Sequence, residues 1–282
     1  MAISVMYSLF NDYLINNTKH IFMKKTIFTA VLILAASVAM NAQVVKSGIL
    51  DGYNPGDVLE KVVYVEKDAP AVIDTWCGGY ASNPVEGAVS PVVGEPLVYE
   101  GYDEKGPSIV LGSGFEGDVK GKRITVYTLT SGKEYRDGTL YLSFLVDFSR
   151  IGSKSMSQFV GFCSSFNGGG NRGTVYVKRD ESDKKTFYWG VKLAEEVAEW
   201  SQPFEMNRTY LVVLKLDYNN QCASLFVDPD LSAAEPEANI TAKAVEKELK
   251  HSIRGINLRD GNAYDGNLGN FRITRTWESL SE

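Results

Sequence analysis

The side chains of this chain best suited to chemistry are aromatic or oxygen-bearing; imidazoles and thiols are scarce. The sequence holds 4 tryptophans and 15 tyrosines. A flat ring can stack on the apolar face of a sugar while polar neighbours meet its hydroxyls. Trp200 is the leading candidate for that role. Its context, Glu199-Trp200-Ser201-Gln202-Pro203, reads as a loop with little reason to bury the ring. Tyr188 is second, because strand alternation sets it on the face opposite Trp189. Trp76 and Tyr80 flank Cys77-Gly78-Gly79 in a glycine-rich stretch and complete the candidate binding set. Burial competes for every one of these rings, since large aromatics fill β cores. Trp277 is expected in the core.

Calcium asks for several oxygens from Asp, Asn and carbonyl groups in one loop. The segment Asp260-Gly261-Asn262-Ala263-Tyr264-Asp265-Gly266-Asn267 offers Asp260, Asn262, Asp265 and Asn267. Its spacing is not that of an EF-hand, and the same residue types also serve tight turns. Other chemistry is thinly supplied. The close acidic pairs Glu66/Asp68, Glu116/Asp118, Asp228/Asp230 and Glu235/Glu237 all sit in turn-like surroundings, where solvated charge is the ordinary outcome. No catalytic residue is nominated. Of 2 histidines, His251 follows Glu246, Lys247, Glu248 and Lys250, a solvated context. The 3 cysteines, Cys77, Cys163 and Cys222, form no C-x-x-C pair, which disfavours zinc. They allow at most one bridge.

Met23-Lys24-Lys25 is a basic start, Ile27 to Val38 an apolar run, and Ala39-Met40-Asn41-Ala42 a small-residue cleavage context. Together they describe a secretory signal over 23–42, cut after Ala42. The run is too short to span a bilayer. Residues 1–22 fit no targeting logic and read as an extension upstream of the true start. The exported product is then 43–282, a single domain, periplasmic or extracellular. Removing Lys19, Lys24, Lys25 and Asp12 takes the net charge from −6 to −8. That acidity argues against nucleic acid and anionic membrane as partners, and mildly against a strongly anionic polysaccharide.

The elements that must position these side chains read as strands. Val-, Ile-, Tyr-, Phe- and Thr-rich runs recur at 61–65, 96–99, 108–111, 123–129, 139–148, 158–164, 174–178, 186–193, 209–217, 221–227, 253–258 and 270–276, with Gly, Asn, Asp and Pro turns between them. Leu140, Leu142, Phe144, Val146 and Phe148 share one face, and Tyr141, Ser143, Leu145 and Asp147 the other. The second face keeps some apolar residues, so this strand and 209–217 are expected to be central strands partly covered on both sides. Asp217-Tyr218-Asn219-Asn220-Gln221 and Asp180-Glu181-Ser182-Asp183-Lys184-Lys185 read as hairpin tips. The stretch 233–250 reads as a surface connection with a short helix. Many strands without alternating helices imply an all-β, two-sheet antiparallel sandwich or jelly roll.

The order of several motifs resembles the secreted bacterial members of the concanavalin A-like lectin/glucanase superfamily, with a laminin-G-like jelly roll. They run from Leu50-Asp51-Gly52-Tyr53-Asn54-Pro55-Gly56-Asp57-Val58-Leu59 through Trp76 and Leu97-Val98-Tyr99-Glu100-Gly101-Tyr102. They continue in Gly138-Thr139-Leu140-Tyr141-Leu142-Ser143-Phe144-Leu145, Arg208-Thr209-Tyr210-Leu211-Val212-Val213-Leu214-Lys215 and Ala223-Ser224-Leu225-Phe226-Val227-Asp228-Pro229. The last is Gly269-Asn270-Phe271-Arg272-Ile273-Thr274-Arg275-Thr276-Trp277-Glu278. The resemblance implies two facing antiparallel sheets in a sugar-binding module, an adhesion module or a glycan-degrading enzyme. It does not choose among these. The strand-borne Glu-x-Asp-x-x-Glu of the glycan-cleaving members is absent, as are the Arg- and His-bearing strand motifs of alginate-lyase-type jelly rolls. The reading is a non-catalytic, lectin-like protein that recognises a glycan or a surface partner. A glycan-acting hydrolase or lyase and a structural or adhesion subunit are the alternatives.

Overall fold

The computed structural model describes residues 44–62, 72–78, 86–116, 123–130, 134–163, 172–194, 198–244 and 252–281. The proposed signal over 23–42, Tyr80 and His251 lie outside them. In chain order the strands are β1 (Val44–Lys46), β2 (Trp76–Gly78), β3 (Val92–Gly94), β4 (Ser108–Leu111) and β5 (Arg123–Leu129). Then follow β6 (Thr139–Ile151), β7 (Ser157–Cys163), β8 (Arg172–Arg179), β9 (Thr186–Lys192) and β10 (Glu199–Glu205). The rest are β11 (Thr209–Asp217), β12 (Cys222–Val227), β13 (Ile240–Lys243), β14 (Gly255–Gly261) and β15 (Tyr264–Thr274). A single 3₁₀ turn, Glu278–Leu280, follows them. No helix among the described residues is long and apolar enough to cross a membrane.

The strands form two antiparallel sheets. One has eight strands, in the order β13-β12-β11-β6-β15-β4-β3 with β1 added on β15. The other has seven, in the order β10-β9-β8-β7-β14-β5-β2. The expected all-β sandwich is present. Several expected strands sit where alternation placed them: 108–111, 123–129 and 209–217 match β4, β5 and β11 residue for residue. The hairpin tips also form. Asp217 Oδ1 accepts the backbone N–H of Asn219 and Asn220, both at 2.9 Å, between β11 and β12.

Between the sheets lies an aromatic core. Phe148 of β6 meets Phe159 at 5.1 Å, Phe187 at 5.4 Å and Trp189 at 5.6 Å between ring centroids. Edge-to-face and tilted contacts of this kind add about 0.5–1.5 kcal/mol each beyond area burial. Period two puts Phe187, Trp189 and Val191 inward from β9, and all are fully buried.

The outer face of the eight-stranded sheet is buried as well. Tyr141, Leu145, Leu211, Val213 and Phe226 pack there under Tyr102, Leu231, Trp277 and Leu280. One buried ion pair fastens this cover. Arg272 Nε donates to Glu104 Oε2 at 2.8 Å, and Glu104 Oε1 accepts the Gly48 N–H at 2.8 Å. The Arg272 guanidinium also donates to the Leu280 carbonyl at 3.2 Å. Asn270 supports the same link: at φ 53° it sits in a bulge of β15, and its Nδ2 donates to the Glu104 carbonyl at 2.6 Å. Asn tolerates the left-handed region that such a bulge requires.

Four expectations are corrected. Residues 96–99 are not a strand; the strand is β3, and Leu97 and Tyr99 belong to the cover on the eight-stranded sheet. The 233–250 connection holds no described helix; Ile240–Lys243 adds to β12 as an edge strand, because Ile240 and Ala242 alternate into the core. Trp200 lies in β10, not in a loop. An edge strand tolerates the non-donating Pro203 and the bulge between Trp200 and Pro203, which together disguise β10 in the sequence. The segment 260–267 is not one open loop either, since it carries the chain from β14 in the seven-stranded sheet to β15 in the eight-stranded sheet with Asn262 and Ala263 alone between the strands.

Removing one member of a buried ion pair leaves an uncompensated charge, at a cost of about 3–5 kcal/mol. Glu104→Ala should therefore unfold at a much lower urea midpoint than the parent. The Glu104→Met/Arg272→Met double variant should recover most of the loss. A Glu104→Ala midpoint equal to the parent's would show that the pair does not hold the cover.

Candidate functional site

The outward face of the seven-stranded sheet gathers the aromatic candidates. In β8 and β9, Lys178 pairs with Tyr188, Tyr176 with Gly190 and Thr174 with Lys192, all facing away from the core. Trp200 of β10 pairs with Gly190. Its ring lies on that glycine: a Cβ there would come within 2.8 Å of the ring carbons. Gly190 is therefore the seat of Trp200. Lys178 Nζ stands 4.1 Å from the Trp200 ring centroid and 5.3 Å from that of Tyr188. Lys192 Nζ is 5.9 Å from the Tyr176 ring. Trp200, Tyr188, Tyr176, Lys178 and Lys192 are all partly exposed.

Tyr188 is oriented at its tip. Its hydroxyl donates to Asp180 Oδ2 at 3.0 Å. The Ser182 hydroxyl and backbone N–H donate to Asp180 Oδ1 at 2.7 and 2.8 Å and hold that carboxyl low. The ring is thus fixed at its hydroxyl end while one face stays beside Lys178.

Farther along the same face come Gln158 of β7, opposite Tyr176, and Arg259 of β14, opposite Thr125 of β5. Arg123 enters diagonally beside Arg259 on β5. At the far end the face closes: Tyr127, Leu129, Cys77 and Cys163 pack under Val62 and Val72. All three cysteines are buried free thiols, which burial pushes upward in pKa. They behave as small apolar residues here.

The other candidates fare differently. Trp76 faces the core from β2, is only 1% exposed, and lies 6.2 Å from Phe271, so it offers no ring to a ligand. Trp277 is buried against Tyr141 and Phe226 as expected. Tyr80 lies outside the described residues.

The calcium set does not converge. Asp260 points to the core side of β14, and its Oδ1 accepts the N–H of Gly112 and of Gly261, each at 2.8 Å. Asp265 is taken by Arg150, at 2.5 Å from Nε. Asn267 Oδ1 accepts from Ser108 Oγ at 3.2 Å. The carbonyl oxygen of Asn262 accepts from Arg150 at 3.1 Å. Among the described residues no group of three acidic, His or Cys side chains is placed to hold a metal. The remaining oxygen of Asp260, Oδ2, is buried without a partner, and burial raises its carboxyl to about 7.

No family model matches this chain, and no curated protein matches it. Several solved structures are similar to it. A sialidase shares 11% identity over 72% of this chain and 17% of its own, with a TM-score of 0.44. A heptameric SAP-like pentraxin from Limulus polyphemus shares 10% over 56% of this chain and 80% of its own, with a TM-score of 0.36. The receptor-binding domain of botulinum neurotoxin mosaic serotype C/D shares 12% over 62% of this chain and 40% of its own, with a TM-score of 0.39. The chain spans less than half the length of the sialidase and of the toxin domain. Superpositions this loose leave the site to be read from its own geometry.

Two outcomes follow from that geometry. Gly190→Ala should lift Trp200 from its seat, shifting the tryptophan emission to the red while the far-ultraviolet spectrum stays that of the parent. An unchanged emission maximum would mean that the ring does not rest on Gly190. Asp260 has a folded value near 7, above its unfolded value, so its neutral form favours the fold. That contribution is complete below the unfolded carboxylate value and is lost as pH rises through about 7. Asp260→Asn mimics the neutral form. Melting curves at pH 4, 6 and 8 should show the variant gaining on the parent as pH rises; a constant gap would refute the raised value.

Proposed function

We propose that the chain is an exported, non-catalytic, lectin-like protein of the concanavalin A-like type, and that it binds a glycan on the outer face of the seven-stranded sheet. The observation that carries this reading is the platform of Trp200 seated on Gly190, with Lys178 and the anchored Tyr188 beside it. Partly exposed rings on rigid strands provide stacking surface without an ordering cost. Lys178, Lys192 and Gln158 supply donors and an acceptor for sugar hydroxyls.

Non-catalysis is favoured by the placing of carboxylates. Cleavage with retention needs two carboxyl groups about 5–5.5 Å apart at the scissile bond. Asp180, the carboxylate joined to the platform, is committed to Ser182, Thr186 and Tyr188. Asp228 is committed to Arg208 and Glu235 to Tyr141 and Lys215, both at the eight-stranded sheet.

The test is a glycan-array screen of residues 43–282 with Trp200→Ala alongside. We expect a specific hit that weakens roughly 30-fold in the variant, the ~2 kcal/mol of a buried stacking anchor. A parent that binds no glycan, or a hit that the variant keeps in full, would overturn the platform and shift the reading to a protein partner.

A further inference from the structure

We infer that the glycan on this face is an anionic oligosaccharide, whose carboxylate or sulfate is received by Arg259 and Arg123. The inference rests on the platform reading above and names the ligand class of the same site.

Two guanidinium groups share one stretch of the outer face. The pairing Arg259↔Thr125 and Gly261↔Arg123 makes Arg259 and Arg123 diagonal neighbours across β14 and β5, within mutual reach. Neither forms an ion pair with a described carboxylate, and Arg259 Nε is buried without a hydrogen-bond partner. Desolvation first, and then the positive charge of Arg123, disfavour the charged Arg259. Like charges placed together without a counter-ion are unfavourable unless something negative joins them. Several other described arginines are ion-paired: Arg150 with Asp265, Arg208 with Asp228, Arg254 with Glu134 and Arg272 with Glu104.

The geometry of the guanidinium fits the ligand class. Its planar fork takes an oxyanion by two parallel hydrogen bonds, which an ammonium group cannot do. Lys178 and Lys192 add positive charge on the same face. The whole chain is acidic, so this cationic face is local and opposes the mild bias against anionic polysaccharides drawn from net charge.

The arrangement also sets the size of the ligand. Trp200, Gly190, Tyr176 and Gln158 follow one another on β10, β9, β8 and β7, and β14 with Arg259 comes next. Four strand spacings separate Trp200 from Arg259, about 19 Å. A single sugar stacked on Trp200 would not reach the guanidinium groups. An oligosaccharide would, lying across the strands with a neutral ring on the platform and an acidic unit at Arg259.

The test titrates three probes into the purified protein by calorimetry: a short oligogalacturonide, its carboxyl-reduced neutral counterpart, and that reduced counterpart carrying sulfate esters. The parent is compared with Arg259→Gln, Arg123→Gln and Trp200→Ala. Arg259 has no ion pair with a described carboxylate to lose, so Arg259→Gln should melt near the parent's temperature, which separates misfolding from lost recognition. We expect an anionic probe to bind at least ten-fold more tightly than the reduced one, with that preference falling as salt is raised. Arg259→Gln should erase the preference, Arg123→Gln should reduce it, and Trp200→Ala should weaken charged and neutral probes alike. Preference for the oligogalacturonide identifies a carboxylate as the anion; preference for the sulfated probe identifies a sulfate. Equal binding of all three probes, or a preference that survives Arg259→Gln, overturns the anionic subsite while leaving the platform standing. Loss of all binding in Trp200→Ala with no effect of either arginine variant has the same meaning. Binding of none of the probes by folded parent protein overturns the anionic subsite, and the array result then decides the platform on its own.

Discussion

The buried pair between Arg272 and Glu104 decides which surface of this sandwich is open. Two sheets facing each other have two outer faces, and a sandwich of this size could expose either. Here the eight-stranded sheet is closed on its outside by segments around Tyr102, Leu231 and Trp277, with Glu104 tied at once to Arg272, Gly48 and Asn270. A charge pair this deep is a poor source of net stability but a strong source of specificity, because every alternative placement of the cover strands a charge. The consequence is an asymmetry between the two outer faces. Sheet surface with partly exposed aromatics remains on the seven-stranded sheet, beyond the small cluster around Tyr127.

Much of this was legible in the sequence. Alternation in Leu140–Phe148 and Tyr210–Leu216 gave both the strands and the prediction that their second faces are covered, since Leu145, Leu211 and Val213 have no reason to face water. The inward Trp189 and outward Tyr188 follow from the same period of two. What stayed hidden depends on partners distant in sequence. β10 carries Pro203 and polar residues, and only its place at a sheet edge makes it a strand. β13 is four residues of modest hydrophobicity, with Ile240 and Ala242 turned inward, that become a strand because β12 offers a free edge. The seat of Trp200 rests on Gly190, ten residues away, whose lack of a side chain reads in sequence as a weakness of β9 and in space as room for a ring.

The candidate sites diverged for a related reason. The residues 260–267 look like an oxygen-rich loop when written in a line. Folded, Asp260 and Asp265 sit on two different strands joined by a two-residue turn, and each is consumed by its own neighbours: backbone N–H groups for one, Arg150 for the other. Trp76 failed as a ligand residue because its glycine-rich flank suggested exposure, whereas pairing with Thr128 on β5 turns its ring into the core.

Arg259 and Asp260 show how far a linear charge count can mislead. Adjacent in sequence, they look like a neutral pair. In a strand, adjacent side chains leave from opposite faces. Arg259 emerges on the outer face beside Arg123, and Asp260 turns to the core side, where burial holds its carboxyl near 7 rather than in the usual acidic range. The negative charge that the sequence seems to place next to the arginine is therefore on the far side of the sheet and partly neutralised at physiological pH. What reaches solvent at this end of β14 is positive. A chain with an acidic total can in this way present a cationic face on one half of one sheet, and the period of two, not the net charge, is the physical reason.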